Sequence, residues 1–347
     1  MDVTGVDFEV GFNTETFKYY IDFAAAHGIE YINLDDTWYH DGDIMDLVDA
    51  IDFEELMAYA KRKDVKVILW CVGRYLEAKL DEAMAQFDEW GIAGLKIDFF
   101  DRDDQQCMNR LERLARVAAE HKLAVNFHGV TKPTGLHRTY PNVLNREGVK
   151  GMEYNKFSPN GYVTPEHVVE VPFTRMLAGP MDFTPGALDN VPEASFRVIF
   201  DLPMGWGTRC QQLAMFVVYY APLQMLSDSP TLYWEERDTM DFLSAVPTTW
   251  DETVPLDGKI GDYALLARRH GKDWYVGGLT DENARNVQVD FSFLGEGTYQ
   301  ADIYKDGPNA ERNGIDFQRT QMTVDANSVM TFHLAPAGGV AIRITPK

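Results

Sequence analysis

Cysteine pairs, long apolar runs, excess positive charge and a glycine-rich nucleotide loop are all missing from this sequence, and each absence excludes something. The three cysteines, Cys71, Cys107 and Cys210, stand far apart without metal-ligand spacing, so neither a disulfide framework nor a zinc site is expected. No apolar stretch approaches the roughly 20 residues of a membrane span. With 32 basic and 54 acidic residues the formal net charge is -22, which argues against nucleic acid and anionic membrane surfaces as partners. That balance suits a neutral substrate, and acidic clusters suit a hard cation. No G-x-G-x-x-G follows the first candidate strand, so a dinucleotide fold has no support. Met1 leads directly into Asp2-Val-Thr-Gly-Val-Asp, with no basic or apolar leader. The expectation is either a cytoplasmic protein or a chain from which a leader and more have been removed.

What is present is an ordinary soluble composition, 45% hydrophobic and 25% charged over 347 residues, enough for a large barrel and a small second domain. Phe17, Tyr20, Ile21 and Ala24 recur at helical spacing after a capping Asn13 or Thr14, and Gly28 stops them. A strand over 30–36 follows and ends in Asp35 and Asp36, with Trp38 and Tyr39 just beyond. Helices over 53–63, 76–90 and 105–121 then alternate with strands over 65–71, 94–101 and 123–129. Val, Ile and Leu runs of this kind belong to buried parallel strands. Further, shorter strands are expected at 151–154, 181–184 and 223–226, separated by helices over 164–178 and 207–220. Most of the early strands end in polar or aromatic residues, the signature of a (β/α)8 barrel with its chemistry at the C-terminal face. The count is seven strands, so the barrel is expected to lack its first. Beyond about Trp250 short runs of alternating polarity with turns between them predict an all-β sandwich. The expected domains are therefore 1–250 and 251–347.

The stretch Gly94-Leu-Lys-Ile-Asp-Phe-Phe-Asp101 carries two charges inside an apolar strand. Lys96 and Asp98 are either a structural ion pair or a site, because stripping water from a lone charge is expensive. Glycoside hydrolysis needs two carboxyl groups, and the partners available to Asp98 are Glu147 and Glu153, in a glycine-punctuated loop. Asp35 and Asp36 are either a solvated turn or a pair accepting hydrogen bonds from vicinal hydroxyls, with Trp38 packing on a sugar's C–H face. His128 reads as a core histidine or as a cleft group, Trp70 as core, Arg74 as surface and Asp182 as a weak candidate.

The motifs Gly5-Val-Asp-Phe, Asn13-Thr-Glu-Thr-Phe-Lys-Tyr-Tyr-Ile-Asp-Phe-Ala, His27-Gly-Ile-Glu-Tyr and Gly94-Leu-Lys-Ile-Asp-Phe-Phe-Asp resemble glycoside hydrolase family 97. So do Leu144-Asn-Arg-Glu-Gly-Val-Lys-Gly-Met-Glu-Tyr154 and Leu177-Ala-Gly-Pro-Met-Asp-Phe-Thr-Pro-Gly186, and the resemblance runs from about Gly5 to the C-terminus. It implies an N-terminal β-sandwich, absent here with the first barrel strand, then a (β/α)8 barrel and a C-terminal β-sandwich. It also implies action on small α-glucosides, α-galactosides or oligosaccharides, bound calcium, and a periplasmic or secreted location. Inverting members lack a carboxylate matching Asp98, whereas retaining members have an Asp nucleophile there. The resemblance therefore makes Asp98 the nucleophile, Glu153 the general acid/base, and Glu147 and Glu153 calcium ligands. His128 stands near where an inverting member places a glutamate. Leu34-Asp-Asp-Thr-Trp38 and Lys96-Ile-Asp98 are also similar to family 27 and 36 α-galactosidases, where such an Asp pair reads the 4- and 6-hydroxyls. Asp36-Thr37 departs from the acid-Gly-Trp pattern common in family 97. The expected substrate-binding set is thus Asp35, Asp36, Trp38, Trp70, Lys96 and His128, and the expected reaction is retaining cleavage of α-galactosides. An α-glucosidase and a non-catalytic carbohydrate-binding remnant are the alternatives.

Overall fold

The structure, a computed structural model, describes residues 3–347. The chain forms two compact units, the first Met1–Val149 with Ala178–Asp182 and Ser229–Glu235, the second Lys150–Leu177, Phe183–Asp228 and Glu236–Lys347. Where the sequence suggested a boundary near 250, the second unit thus gathers residues from both sides of it.

Five parallel strands cross the first unit in sequence order: β1 (Tyr31–Leu34), β2 (Lys66–Val72), β3 (Gly94–Asp98), β4 (Ala124–Phe127) and β5 (Val143–Arg146). Helices α1 (Thr14–Ala26), α2 (Phe53–Arg62), α3 (Gly73–Ala78), α4 (Leu80–Trp90) and α5 (Gln105–Glu120) alternate with them. Side chains cap three of these helices where the sequence offers an acceptor. Asn13 accepts from the Thr16 N–H at 2.9 Å, Asp52 from Glu55 at 3.0 Å and Asp104 from Cys107 at 2.9 Å. The single helix expected over 76–90 is divided at Lys79, whose backbone leaves the helical region (φ -131°, ψ 35°). Ile21, Leu34, Trp38, Leu56, Val67, Leu95, Ile97 and Phe127 form part of a continuous core between sheet and helices.

Register fixes which side chains share a face. Trp70 pairs with Lys96, Lys96 with Asn126, and Asn126 with Asn145. Because successive strand residues point to opposite faces, the next layer on the same face is Val72, Asp98, His128 and Glu147. The polar side chains thus gather on one face toward the carboxyl ends of the strands. The fifth strand lies at Val143–Arg146 rather than at 151–154. Its polar Asn145 and Arg146 made it read as a loop, yet both are buried. The expected strands at 181–184 and 223–226 are irregular instead, although Met181 and Phe183 are fully buried. Among the described residues the sheet therefore has five strands, not seven, in the β/α order of a TIM-type barrel.

In the second unit a two-residue parallel pair, β6 (Asn190–Val191) with β7 (Gly205–Trp206), precedes the antiparallel strands. These are β8 (Glu252–Lys259), β9 (Tyr263–His270), β10 (Asp273–Thr280), β11 (Arg285–Asp290), β12 (Tyr299–Asp306), β13 (Phe317–Val324), β14 (Val329–Leu334) and β15 (Gly339–Pro346). They form a six-stranded sheet, ordered β13-β12-β15-β10-β9-β8, and the pair β11-β14. Val276, Val289, Phe291, Ala301, Ile303, Leu334 and Ile342 share the core of this β domain. β8, at one edge of the six-stranded sheet, is mostly exposed. The helix Arg209–Val218 is buried along its whole length and packs on β10 and β15. Close approach requires Gly277 there: a Cβ would stand 2.9 Å from the Ala214 carbonyl and from the Val217 side chain.

Candidate active site

Asp98 ends β3 with its side chain 7% exposed, and three donors converge on its carboxylate. The Trp70 indole N–H donates to Oδ2 at 2.9 Å, His128 Nδ1 lies 3.2 Å from the same oxygen, and the Phe99 backbone N–H donates to Oδ1 at 2.6 Å. Burial by itself pushes such a carboxyl up. Here the hydrogen bond and charge of His128, then the Trp70 and Phe99 donors, outweigh it and hold Asp98 below the ordinary carboxylate range. It is a desolvated carboxylate held as the anion.

His128 occupies the centre of an acidic group. Beside Asp98, its Nδ1 stands 3.4 Å from Glu147 Oε2, and its Nε2 stands 3.7 Å from Asp182 Oδ2. Burial pulls the imidazole down and Lys96 opposes its charge. Asp98, Asp182 and Glu147 together raise it to about 9, so it is an imidazolium at neutral pH. Asp182 is itself buried and accepts from the Asn126 amide at 2.6 Å. Glu147 accepts from the Gly129 N–H at 2.7 Å.

The loop after β3 is under backbone strain. Phe99 and Asp101 have φ of +59° and +51°, unfavourable for residues with a Cβ. Gly129 (φ +52°) stands against that turn, and its carbonyl accepts the Phe100 and Asp101 N–H groups at 3.1 Å. A Cβ on Gly129 would lie 2.5 Å from Asp98 Oδ1. The nucleophile candidate and the turn behind it are thus locked in one arrangement.

The remaining expected residues separate into two groups. Lys96 faces the site but pairs with Asp35 at 3.0 Å rather than with Asp98, and that carboxylate raises its ammonium against the downward pull of burial. Asp35 also accepts from Asn33 at 2.6 Å and is exposed, as a hydroxyl-binding group should be. Asp36 is exposed too, but its Oδ1 accepts the Thr37 N–H at 2.7 Å, closing a turn in which Thr37 has φ +80°. Trp38 departs from expectation: it is fully buried, its rings packed near Phe53 and Trp90, and its N–H donates to the Trp70 carbonyl at 2.6 Å. It cannot offer a face to a sugar; it supports the strand that carries Trp70. Arg74, read as surface, stacks on Tyr75 with its guanidinium 4.6 Å from the ring centroid.

Glu153 belongs to the second unit and is partly exposed. It sits not on a strand but in a turn (φ -57°, ψ -28°) that opens the one-turn helix Tyr154–Phe157. The Met152 N–H just before it is tied to the Phe183 carbonyl at 2.9 Å. Asn126 was missed by sequence reasoning, and Asp182 was given little weight. The signal in Ala-Val-Asn-Phe-His was present: Asn126 lies on β4 and His128 just past its end, two residues on in extended chain and hence on the same face.

The calcium implied by the resemblance can be weighed against these donors. Glu147 and Glu153 offer the carboxylate oxygens that a hard cation takes. Calcium binds six to eight oxygens, however, and Glu147 already accepts from Gly129 beside the His128 imidazolium. The donor type fits and the number does not, so no chemical step is derived through a metal.

Two family models match the chain: "Glycoside hydrolase 97" over residues 1–149 and "Glycosyl-hydrolase 97 C-terminal, oligomerisation" over residues 249–345. A retaining alpha-galactosidase from Bacteroides thetaiotaomicron is 44% identical over 345 residues, 99% of this chain and 52% of that protein. A probable retaining alpha-galactosidase from Streptomyces bingchenggensis is 34% identical over 300 residues, 84% of this chain and 44% of its own. The chain spans about half the length of these curated relatives. Among solved structures, a glycoside hydrolase family 97 enzyme from Pseudoalteromonas sp. strain K8, in complex with acarbose, superposes with a TM-score of 0.87 at 34% identity. That match covers 96% of this chain and 56% of that enzyme.

Proposed function

The chain belongs to glycoside hydrolase family 97, and from that premise we propose that it carries the catalytic machinery of a retaining α-galactosidase. The observation that carries this reading is Asp98: a carboxylate at the end of β3, desolvated, triply hydrogen-bonded and held as the anion. In double displacement Asp98 Oδ attacks the anomeric carbon as the glycosidic bond breaks, and protonated Glu153 gives its proton to the departing oxygen. The galactosyl ester formed is then hydrolysed by water, with Glu153 as base and the anomeric configuration restored. The Trp70 and His128 donors position the attacking oxygen, and Asp35 with Lys96 binds sugar hydroxyls. Support for galactose comes from the names of the two curated relatives. Glu147 and Glu153 are proposed as two of the six to eight oxygen ligands that calcium takes; the cation would orient those carboxylates, and a calcium-dependent rise in melting temperature, lost in Glu147→Gln, tests it.

One feature favours a second reading, an α-glucosidase of the same family. Asp36 turns an oxygen onto its own loop, so the paired-aspartate recognition of an axial hydroxyl is left to Asp35. Both readings meet one experiment: cleavage of galactosyl and glucosyl aryl substrates, with product anomers followed by NMR. Faster galactoside turnover with an α-product, abolished in Asp98→Asn, is expected. A β-product sinks retention, and faster glucoside turnover sinks the sugar assignment. Sugar binding without any turnover that Asp98→Asn removes marks a non-catalytic remnant.

A further inference from the structure

Just after Glu153 in the chain the second unit carries two aromatic side chains, the half-buried Tyr154 and the exposed Phe157, that the reaction above does not use. Tyr154 and Phe157 begin and end one helical turn, three residues apart and so on one face. Their ring centroids lie 5.2 Å apart at 44°. Phe157 is 51% exposed and Phe200, from the loop between β6 and β7, is 61% exposed. Lys156, on the same turn, brings its ammonium 4.8 Å from the Phe200 ring centroid and so draws that loop to the helix. Behind it the loop is anchored: Phe196, 8% exposed, packs within 5.0 Å of Tyr162 and 6.2 Å of Trp206. The exposed rings thus stand on a packed base rather than on a loose segment.

We infer that Tyr154, Phe157 and Phe200, with Lys156, form the subsite for the leaving-group sugar. The inference rests on Glu153 as the proton donor. A group that protonates the glycosidic oxygen must touch it, so the sugar on the leaving side lies beside Glu153, and the residues next to Glu153 in the chain are these. A pyranose presents apolar C–H faces and a rim of hydroxyls. Exposed rings bordered by one ammonium match that pattern, the rings taking the C–H face and Lys156 donating to a hydroxyl. The occupant is a neutral hexose of an oligosaccharide, in keeping with a chain of net charge -22.

The test uses two substrates. α-Galactosyl fluoride has no leaving-group sugar, whereas an α-galactosyl-glucose disaccharide has one. Phe157→Ala and Phe200→Ala are each expected to lower kcat/KM on the disaccharide about tenfold and to leave the fluoride within twofold. Equal losses on both substrates, or no loss on the disaccharide, overturn the subsite. Saturation-transfer NMR with free glucose gives a second readout that needs no turnover: transfer from aromatic protons is expected in the parent chain and reduced in both variants, and unchanged transfer also overturns it. Failure of the proposed function itself registers separately, as fluoride turnover that survives Asp98→Asn.

Discussion

His128 Nδ1 stands 3.2 Å from Asp98 Oδ2, and the two side chains arrive from neighbouring strands already facing each other. The pairing follows from a two-residue period and a register that sets Ile97 beside Phe127, leaving the next residues, Asp98 and His128, on the opposite face. Against the upward push of burial, the hydrogen bond and charge of His128 lead the effects that hold this carboxyl below the ordinary carboxylate range.

Removing that donor should therefore act on the chemistry. Hydrogen bonds to charged groups are worth about 1.5–3 kcal/mol. His128→Ala is expected to lower kcat/KM on galactosyl fluoride roughly 10- to 100-fold, with most of the change in kcat. Steady-state rates at neutral pH check this, and an unchanged kcat would count against the positioning role.

Two tryptophans that look alike in sequence should part company. Trp70→Phe removes the N–H that reaches the buried Asp98 carboxylate, so kcat should fall, and urea unfolding should register the loss of a hydrogen bond to a charged group, about 1.5–3 kcal/mol. Trp38→Phe leaves the buried Trp70 carbonyl without its donor and opens a void, so stability should drop by roughly 1–3 kcal/mol with KM unchanged. The paired denaturation and kinetic measurements would show the reverse pattern if Trp38, and not Trp70, faced the sugar.

Gly129→Ala places a methyl where Asp98 Oδ1 and the Phe99 backbone already stand, at a φ of +52°. The expected cost is roughly 1–3 kcal/mol of folding stability together with loss of turnover, because the methyl displaces the carboxylate it meets. Gly28→Ala, at φ +67° but with open space around its Cβ, serves as the control: it should lose stability from backbone strain alone and keep its kcat.

In the second unit, burial pushes the Asp306 carboxyl up to about 7 against hydrogen bonds from Thr208 and the Ala335 and Gly339 N–H groups. In the unfolded chain the same group ionises near about 3.9. Between those values the folded state holds the proton more tightly, so this group's stabilising effect is present below about pH 4 and lost as pH rises through about 7. Unfolding free energies of parent and Asp306→Asn should diverge across that window, by an amount on the order of 2–4 kcal/mol at the extremes. Parallel curves would rule the effect out.

Much of this protein was determined by sequence alone. Alternation of Val, Ile and Leu runs with amphipathic segments placed β1 to β4, and the capping residues Asn13, Asp52 and Asp104 mark where their helices begin. A charge inside an apolar strand singled out Asp98, because burying it without partners costs too much. What the sequence left open was which partners those are. Lys96, two residues away, was the local choice, and the folded chain gives Lys96 to Asp35 and Asp98 to Trp70 and His128. Pairings across 28 and 30 residues are set by strand register, which no local pattern encodes. The same cause hid β5, whose Asn145 and Arg146 read as loop residues until a buried polar face existed to receive them. It also sent Trp38 inward, since a tryptophan beside two aspartates looks exposed in one dimension and is covered only when α2 and α4 close over it.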